Sequence, residues 1–361
     1  MRRADGATGG AARRAGIRDV ARELGLSIST VSRAMNARGE VSPETRRLVL
    51  ETAASLGYRA HQSGRSLRQG RTDTVALVMP THTARTQSGE TFFLNVSNGL
   101  QEVLLPHGLD LVILPFGPSL QPEEFLRGVV DRHVADAYVL ADTQRVDPRV
   151  DLLAQRHVAF VSLGRTRAAE HTWLDLDFAG VAAQSVQRLA AAGHRRIAVA
   201  LTDRDVNSDA EFLRGYRDAV AVHGVDTDPE LVIRAPDTRD GGAVLADRLL
   251  AAADRPTAVV LAQETMALGL YRQLRRHGVE PGRDLAVIGF RENPVNEHLD
   301  PALTCFRLSL EDYGRRLGEL VLERLAPTPP PPGGEVWPMT LVTGGSDAGP
   351  SPSGGTPHTR S

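Results

Sequence analysis

The chain has 361 residues, of which 41% are hydrophobic and 24% charged, a composition typical of a globular protein with two or three domains. One cysteine excludes an intramolecular disulfide framework and a multi-cysteine zinc site, and no uncharged apolar run reaches the ~18 residues of a membrane span. The net charge of -2 is unevenly distributed: residues 1–72 carry 14 arginines and 6 acids, so that a basic head precedes an acidic remainder. This asymmetry predicts a polyanionic partner.

The first 60 residues predict a basic tail followed by a three-helix head. Residues 1–15 are rich in Gly, Ala and Arg and are predicted to be disordered. They lack the apolar stretch of a signal peptide, so we expect a cytoplasmic protein. Within residues 16–60, Gly25 supplies a tight turn after the first helix and Ser27 is the expected N-cap of the second. Two short amphipathic helices around such a turn predict a helix-turn-helix.

The outward face of the second helix carries residues suited to reading DNA. They are small, polar or basic, namely Ser29, Thr30, Ser32, Arg33 and Asn36. Such side chains let a helix enter a major groove and bond phosphates and base edges. A third helix is expected after Ser42, with four apolar residues packing inward: Leu48, Val49, Ala53 and Leu56.

Residues 61–72 are predicted to form a hinge helix or linker, and residues 73–346 a two-lobed domain. The linker is polar, with Leu67 its only large apolar residue. Beyond it, short Val/Leu/Ile runs alternate with longer amphipathic stretches, which indicates parallel sheets covered by helices on both faces. About eight strands fit two doubly wound lobes better than one sheet. The expected strands are 75–79, 109–114, 137–140, 158–162, 197–201, 231–234, 258–262 and 285–290. The expected helices include 92–105, 179–192, 212–223, 242–252, 265–277 and 310–325.

The C-terminal part predicts one further strand and a second tail. Residues 337–343 are a candidate for the last strand, after a proline-rich loop at 327–334. Residues 347–361 are rich in Gly, Pro and Ser and contain no heptads, so we predict a disordered tail and a dimer rather than a tetramer.

Several segments, taken together, resemble the lactose/galactose repressor (LacI/GalR) family over residues 16 to 346. The resemblance rests on residues 17–36, 41–46, 56–59, 65–68, 193–197, 214–216, 267–269 and 285–290. It implies a helix-turn-helix head, a hinge helix and a sensor of two α/β lobes like periplasmic sugar-binding proteins. It also implies a transcriptional regulator, which we expect to be a repressor that binds a palindromic DNA operator as a homodimer and responds to a small-molecule effector.

The resemblance assigns roles to residues of the head. Ile28, Ser29 and Arg33 match positions that read bases, whereas Thr30, Ser32 and Asn36 match positions that hold the DNA backbone or the turn. An alternative for Arg33 is a phosphate contact, and for Thr30 and Ser32 helix capping or solvent exposure. The segment with Arg65 and Leu67 matches the hinge, where Leu67 is implied to be a wedge between base steps of the minor groove. Its alternative is packing against the sensor.

The hinge departs from the family pattern. Ala60 and His61 replace the usual Pro-Asn, and Gly64 stands where alanine is common. Glycine inside a helix costs about 1 kcal/mol relative to alanine. We therefore expect this hinge to be disordered without DNA and to fold on binding.

The effector-binding positions also depart from the family. The usual Asn-Asp pair, Arg and Asp correspond here to Gln263-Glu264, Phe212 and Arg291. One interpretation is an anionic or phosphorylated ligand held by Arg165 and Arg291, with Phe212 stacked on a ring. A second is a sensor that has lost its ligand, and a third is a register shift by one residue.

Two further observations bear on the ligand. Residues 160–165 and 173–177 resemble family members that sense glucosides, which keeps a sugar as a candidate. Phe93 is a candidate ligand contact or a core residue. Asp175 and Asp177 are further candidate ligand contacts, because they are two apart on an expected strand and would share a face. Their alternative is solvation at the strand end or contacts between the lobes. No P-loop, GxSxG or GxGxxG motif is present, so we predict no enzyme activity, catalytic residue, metal or cofactor. A sugar-binding module without a regulatory role is the remaining alternative.

Overall fold

The computed structural model describes residues 15–35, 41–56, 58, 71–81, 87–167 and 170–349. The chain divides into two units, Met1–Thr72 and Asp73–Ser361, which we call the head and the sensor unit. Among the described residues, no helix is both long and apolar enough to cross a membrane.

Three helices form the described part of the head: α1 (Ile17–Leu24), α2 (Ile28–Met35) and α3 (Pro43–Ser55). The predicted turn and caps are confirmed. Gly25 ends α1 with φ 63°, a left-handed conformation that glycine adopts without steric cost. The hydroxyl of Ser27 accepts a hydrogen bond from the Thr30 amide at 3.1 Å, and Ser42 caps α3 in the same way at 3.1 Å.

The head core is small and made of aliphatic residues from all three helices. Its fully buried members are Val20, Val31, Ala34 and Val49. The prediction that Leu48 and Leu56 pack inward is wrong, because they are 48% and 36% exposed in this chain. Leu48 lies on the outer side of α3 and Leu56 directly follows the helix, while the shorter Val49 and Ala53 fill the space beneath α3.

The sensor unit contains two six-stranded sheets, which confirms the predicted pair of α/β lobes. The strands are β1 (Thr74–Pro80), β2 (Asp110–Phe116), β3 (Ala137–Leu140), β4 (Ala159–Leu163), β5 (Trp173–Leu176), β6 (Ile197–Thr202), β7 (Val232–Ala235), β8 (Ala258–Leu261), β9 (Ala286–Arg291), β10 (Thr304–Arg307), β11 (Gly334–Trp337) and β12 (Thr340–Val342). The first lobe has the order β11-β5-β4-β3-β1-β2 and the second β12-β10-β9-β8-β6-β7. Every pairing is parallel except that of β12 with β10.

In the described part of the sensor unit, eight α-helices cover the sheets. They are α4 (Gln87–Leu104), α5 (Pro122–Asp131), α6 (Pro148–Gln155), α7 (Phe178–Ala191), α8 (Asn207–His223), α9 (Arg239–Ala251), α10 (Thr265–Arg276) and α11 (Leu310–Leu325). Helices α4 and α11 pack together, as do α7 with α8 and α9 with α10. Burial is nearly continuous along the inner strands, and β3, β6, β8 and β9 are buried at every position, as expected for parallel sheets covered on both faces.

The chain crosses between the lobes three times, after β5, after β10 and after β11. The Asp177 amide donates to the Trp337 carbonyl at 3.1 Å, which ties the first crossing to the third. Such a narrow triple connection lets two rigid lobes rotate relative to one another about a few backbone positions.

Several sequence-based boundaries need correction. The single strand expected at 337–343 is two strands, β11 and β12, which are separated by Pro338 and Met339 and pair in different lobes. The strand expected around Asp175 is β5, which ends at Leu176, whereas the four-residue strand β10 corresponds to no expected strand. The C-terminal tail does not begin at Asp347, which is buried, accepts a hydrogen bond from the Thr304 hydroxyl at 2.7 Å and pairs with Arg188.

Candidate nucleic-acid interface and effector cleft

Helix α2 has one buried face and one exposed face. Val31 and Ala34 are fully buried, whereas Ile28 is 46% exposed. Ser29 and Arg33 are also exposed, and they lie four residues apart on one side of the helix. The Arg33 Nε donates to the Ser29 carbonyl at 3.3 Å, which holds the arginine stem along the helix. The exposed face therefore presents an apolar, a hydroxyl and a cationic side chain together.

The other residues predicted to touch DNA divide into two sets. The hydroxyl of Thr30 lies 2.8 Å from that of Ser27, so it takes part in the N-terminal cap of α2, and Ser32 is half-buried. Asn36, Arg65 and Leu67 lie outside the described residues.

A cleft lies between the two lobes of the sensor unit, where the carboxyl ends of the strands face one another. This is the usual ligand position in open parallel sheets. The first lobe contributes Asp142 and Arg165, which follow β3 and β4. The second lobe contributes Arg204 after β6, Gln263 after β8 and Arg291 at the end of β9.

Arg165 lies in this cleft but is held by two carboxylates. Its Nε donates to Asp175 at 3.1 Å, and its Nη1 lies 3.5 Å from Glu211 on α8 of the second lobe. The guanidinium also lies 4.9 Å from the Trp173 ring centroid. Burial raises the pKa of Asp175 to about 6, against the opposing effect of Arg165. The charge of Arg165 is therefore compensated within the protein.

Arg291 is compensated in the same way. It is 7% exposed and pairs with Glu264, which is 8% exposed. Its guanidinium lies 5.1 Å from the ring centroid of Phe92 in the first lobe. The arginine at position 291, where the family often has an aspartate, is thus paired with the carboxylate of Glu264. The neighbouring Gln263 is half-buried.

The structure corrects the placement of Phe212. This residue of α8 is fully buried in the hydrophobic core, where its ring is edge-on to that of Phe290 with the ring centroids 6.1 Å apart. It therefore cannot stack on a ligand in this arrangement. The adjacent Glu211 faces the first lobe instead, which agrees at this position with the interpretation of a one-residue register shift.

The two other residues that were expected to contact the ligand, Phe93 and Asp177, lie in different environments. Phe93 is half-buried and lies edge-on to Phe92 with centroids 5.2 Å apart, at the first-lobe side of the cleft. Asp177 is the N-cap of α7, and its carboxylate accepts from the Gly180 amide at 2.8 Å. Asp175 lies on β5 whereas Asp177 lies beyond it, so the prediction that they share a strand face is wrong.

Sequence reasoning missed a polar cluster around the start of α8. Asn207 Nδ2 and Asp209 Oδ1 are buried and have no hydrogen-bond partner among the described residues. They line a cavity of about 420 Å³ together with Arg165 and Arg204. Asp237 lies close by and accepts from the Thr265 hydroxyl, and burial raises its pKa to about 6. No local pattern marks these residues, because their partners are distant in the sequence.

Comparisons with known proteins follow the division into head and sensor unit. Residues 16–61 match the model of bacterial regulatory proteins, lacI family. Residues 186–346 match a periplasmic binding protein-like domain.

Relatives cover nearly the whole chain. The HTH-type transcriptional regulator CelR of Thermobifida fusca is 32% identical over 316 residues, which span 87% of this chain and 92% of CelR. The HTH-type transcriptional regulator AglR of Rhizobium meliloti is 29% identical over 341 residues, 93% of this chain and 95% of AglR.

Solved structures agree with this assignment. A transcriptional regulator CelR-cellobiose complex superposes with a TM-score of 0.71 at 30% identity, covering 92% of this chain and all of that one. The lac repressor dimer bound to operator and an anti-inducer has a TM-score of 0.81 at 18% identity, covering 93% and 100%, and this likeness shows the shared fold. The chain therefore belongs to the lacI family of bacterial regulatory proteins, which are DNA-binding transcriptional regulators and not enzymes.

Proposed function

We propose that this regulator is a cytoplasmic repressor that binds a palindromic operator as a homodimer and responds to a neutral sugar in the interlobe cleft. The observation that carries the choice of ligand is charge compensation. Arg165 and Arg291, the two cations that favoured an anionic ligand, are both paired with carboxylates. To pair with Arg165 or Arg291, a phosphorylated ligand would have to displace those carboxylates, whereas a neutral ligand would leave both ion pairs intact.

The cleft has features that suit a sugar. Within the described part of the chain, Asn207 Nδ2 is a buried donor and Asp209 Oδ1 a buried acceptor, each without a hydrogen-bond partner. A hydroxyl group both donates and accepts, so it satisfies two such atoms without adding charge. The relative solved with cellobiose supports a glucoside as the first candidate.

The dimer is supported by exposed apolar residues near the edge strand β2 of the first lobe. Leu94 on α4 and Leu105 just after it are 59% and 64% exposed. Val112 and Ile113 on the edge strand β2 are 36% and 39% exposed. An apolar patch next to an edge strand is typical of a surface covered by another chain.

The head and hinge complete the proposal. We infer that residues 16–60 read the operator through Ile28, Ser29 and Arg33, with Thr30, Ser32 and Asn36 in supporting roles. Residues 61–72 would act as the hinge, with Arg65 close to DNA and Leu67 as its wedge. Leu67→Ala should then weaken operator binding while binding to unrelated duplex stays nearly unchanged; equal losses on both DNAs would exclude the wedge.

The test measures operator binding by fluorescence anisotropy. It uses the full chain and a DNA duplex from the region upstream of the gene that encodes it. Cellobiose, other neutral glucosides and glucose 6-phosphate are added in turn. A neutral glucoside should change the operator affinity, and glucose 6-phosphate should not. Response to the phosphate alone would overturn the neutral ligand, and no response to any compound would favour the sensor without a ligand.

A variant pair locates the sugar. Asn207→Leu removes the buried donor and should weaken the response to the active glucoside at least about tenfold. Arg217→Gln changes an exposed side chain at the rim of the same cavity and serves as the matched control. Operator binding without sugar should be the same for both variants. Equal responses from the two variants would place the sugar elsewhere.

A further inference from the structure

The two lobes are joined across the cleft by side chains of the protein itself. Asp142 of the first lobe and Arg204 of the second form a two-pronged ion pair, with N···O distances of 2.7 and 2.9 Å. Beside it, the Asn207 amide donates to the Thr143 carbonyl at 3.4 Å. Gln144 and Val206 form an isolated antiparallel bridge. We call this set of contacts the seam.

The backbone of the loop that carries Asp142 is held by a buried arginine. Arg149 is 2% exposed, and its Nη2 donates to the carbonyls of Ala141 and Asp142 at 3.1 Å each. Asp147 holds Arg149 through bonds of 2.9 and 2.7 Å and also accepts from the Gln144 amide at 3.2 Å. The loop that carries Asp142 is thereby tied at both ends before it meets the second lobe.

Arg204 is similarly constrained at its backbone. Its amide lies 3.3 Å from the Thr202 hydroxyl, and Thr202 in turn donates twice to the buried Asp209. An ion pair whose two partners are already ordered loses less side-chain entropy than an exposed pair. A two-pronged arginine–carboxylate contact also fixes orientation.

The seam separates two cavities between the lobes. A cavity of about 530 Å³ lies on one side and one of about 420 Å³ on the other, and Arg204, Asp205 and Val206 line both. Rotation of the lobes that opens either cavity to solvent stretches the Asp142–Arg204 pair. The pair is therefore placed to oppose opening whether or not a ligand is present.

We propose that Asp142 and Arg204 form an interlobe latch, which keeps the sensor unit mostly closed without effector. Effector entry then requires the latch to open. The latch goes beyond the proposed sugar response, because it concerns the resting state of the sensor. Its test uses neither DNA nor sugar.

The test is amide hydrogen exchange of the full chain, read by mass spectrometry and corrected for the intrinsic rate of each sequence. Asp142→Asn and Arg204→Gln should each speed exchange in peptides containing the Asn207 amide about tenfold. Peptides from β6 and β8 should keep their rates, because the lobes open without unfolding. The double variant should exchange no faster than either single variant, since both remove one interaction.

Asp205→Asn is the matched control. Asp205 lies at the same seam and faces Arg145 at 3.9 Å, but it is 84% exposed, so its removal should change exchange by less than about twofold. The latch is overturned if Asp142→Asn and Arg204→Gln match this control. It is also overturned if they speed exchange in β6 and β8 as much as at Asn207, which would mean loss of overall stability.

Discussion

The head and the sensor unit assemble their functional surfaces in different ways. In the head, Ile28, Ser29 and Arg33 come from one turn and a half of a single helix. In the sensor unit, Asp142 and Arg204 are 62 residues apart, and Glu264 and Arg291 are 27 apart. A surface built on one helix follows from local periodicity and caps, whereas a surface built on strand ends depends on the tertiary fold.

The two units also use arginine differently. Arg33 of the head is exposed, and its described contact is to a backbone carbonyl. Arg165, Arg204 and Arg291 of the sensor unit each meet a carboxylate. The first arrangement leaves a cation available to a phosphate or a base edge, and the second uses cations to organise the protein.

The largest expected effect is the salt dependence of operator binding. A dimer that neutralises about 6–10 phosphates should lose about 10³–10⁵ in affinity between 50 and 200 mM salt. The affinity of the sensor for a neutral sugar should change little over the same range, which separates the two units in one preparation. Titrations by anisotropy and calorimetry provide both values. A flat salt response of operator binding would contradict the basic head as the DNA-binding surface.

Next in size is the cost of breaking the buried pair in the sensor unit. Glu264→Gln leaves Arg291 charged and buried without its partner, so the free energy of unfolding should fall by about 3–5 kcal/mol. Denaturant titration measures the change. Replacing both residues with glutamine should cost much less than Glu264→Gln alone, because no isolated charge remains.

The control for that pair is Glu230→Gln, an exposed carboxylate in the same lobe, which should change stability by no more than about 0.5 kcal/mol. If Glu264→Gln resembles this control, the pair contributes nothing to stability. The opposite charges at positions 264 and 291 would then be unrelated changes.

This contrast also defines what the sequence could predict. The helix-turn-helix, its caps and the two lobes follow from short-range patterns, and the structure confirms them. The ion pairs do not follow, because Arg291 alone reads as a free cation and its partner is known only once β8 and β9 are adjacent. Phe212 was misplaced for the same reason: one residue along a helix is a rotation of about 100°, enough to move a side chain from cleft to core.

A smaller effect is expected from Asp237 on the pH dependence of the free energy of unfolding. Its pKa of about 6 lies above the usual value of 3.8, so the folded state binds a proton that the unfolded state has already released. Stability contributed by this group is present below pH 4 and is lost as the pH rises to 6. Asp237→Asn should remove that loss. The free energy of unfolding of the variant minus that of wild type should therefore be about 2–3 kcal/mol larger at pH 7 than at pH 4.

Denaturant titrations of wild type and variant from pH 4 to 7 give the difference directly, since other groups cancel. Asp175 has a similarly raised pKa, so part of the wild-type slope should persist. Asp240→Asn, an exposed change in the first turn of α9, should leave the slope unaltered. An unchanged slope in Asp237→Asn would show that this carboxylate is not desolvated.

The smallest effect is expected from Arg33→Ala, which should weaken the free energy of operator binding by about 1–3 kcal/mol. The pattern of the loss shows whether Arg33 contacts a base or a phosphate. If Arg33→Ala weakens only the operator complex, Arg33 contacts a base edge. If it weakens operator and unrelated duplex equally and lowers the salt slope of the dimer by about 2, which is about 1 for each Arg33, then Arg33 contacts a phosphate. Arg22→Ala is the control, because Arg22 is 76% exposed on α1 and pairs with Asp19. Equal affinities for wild type and Arg33→Ala on both DNAs would remove Arg33 from the interface.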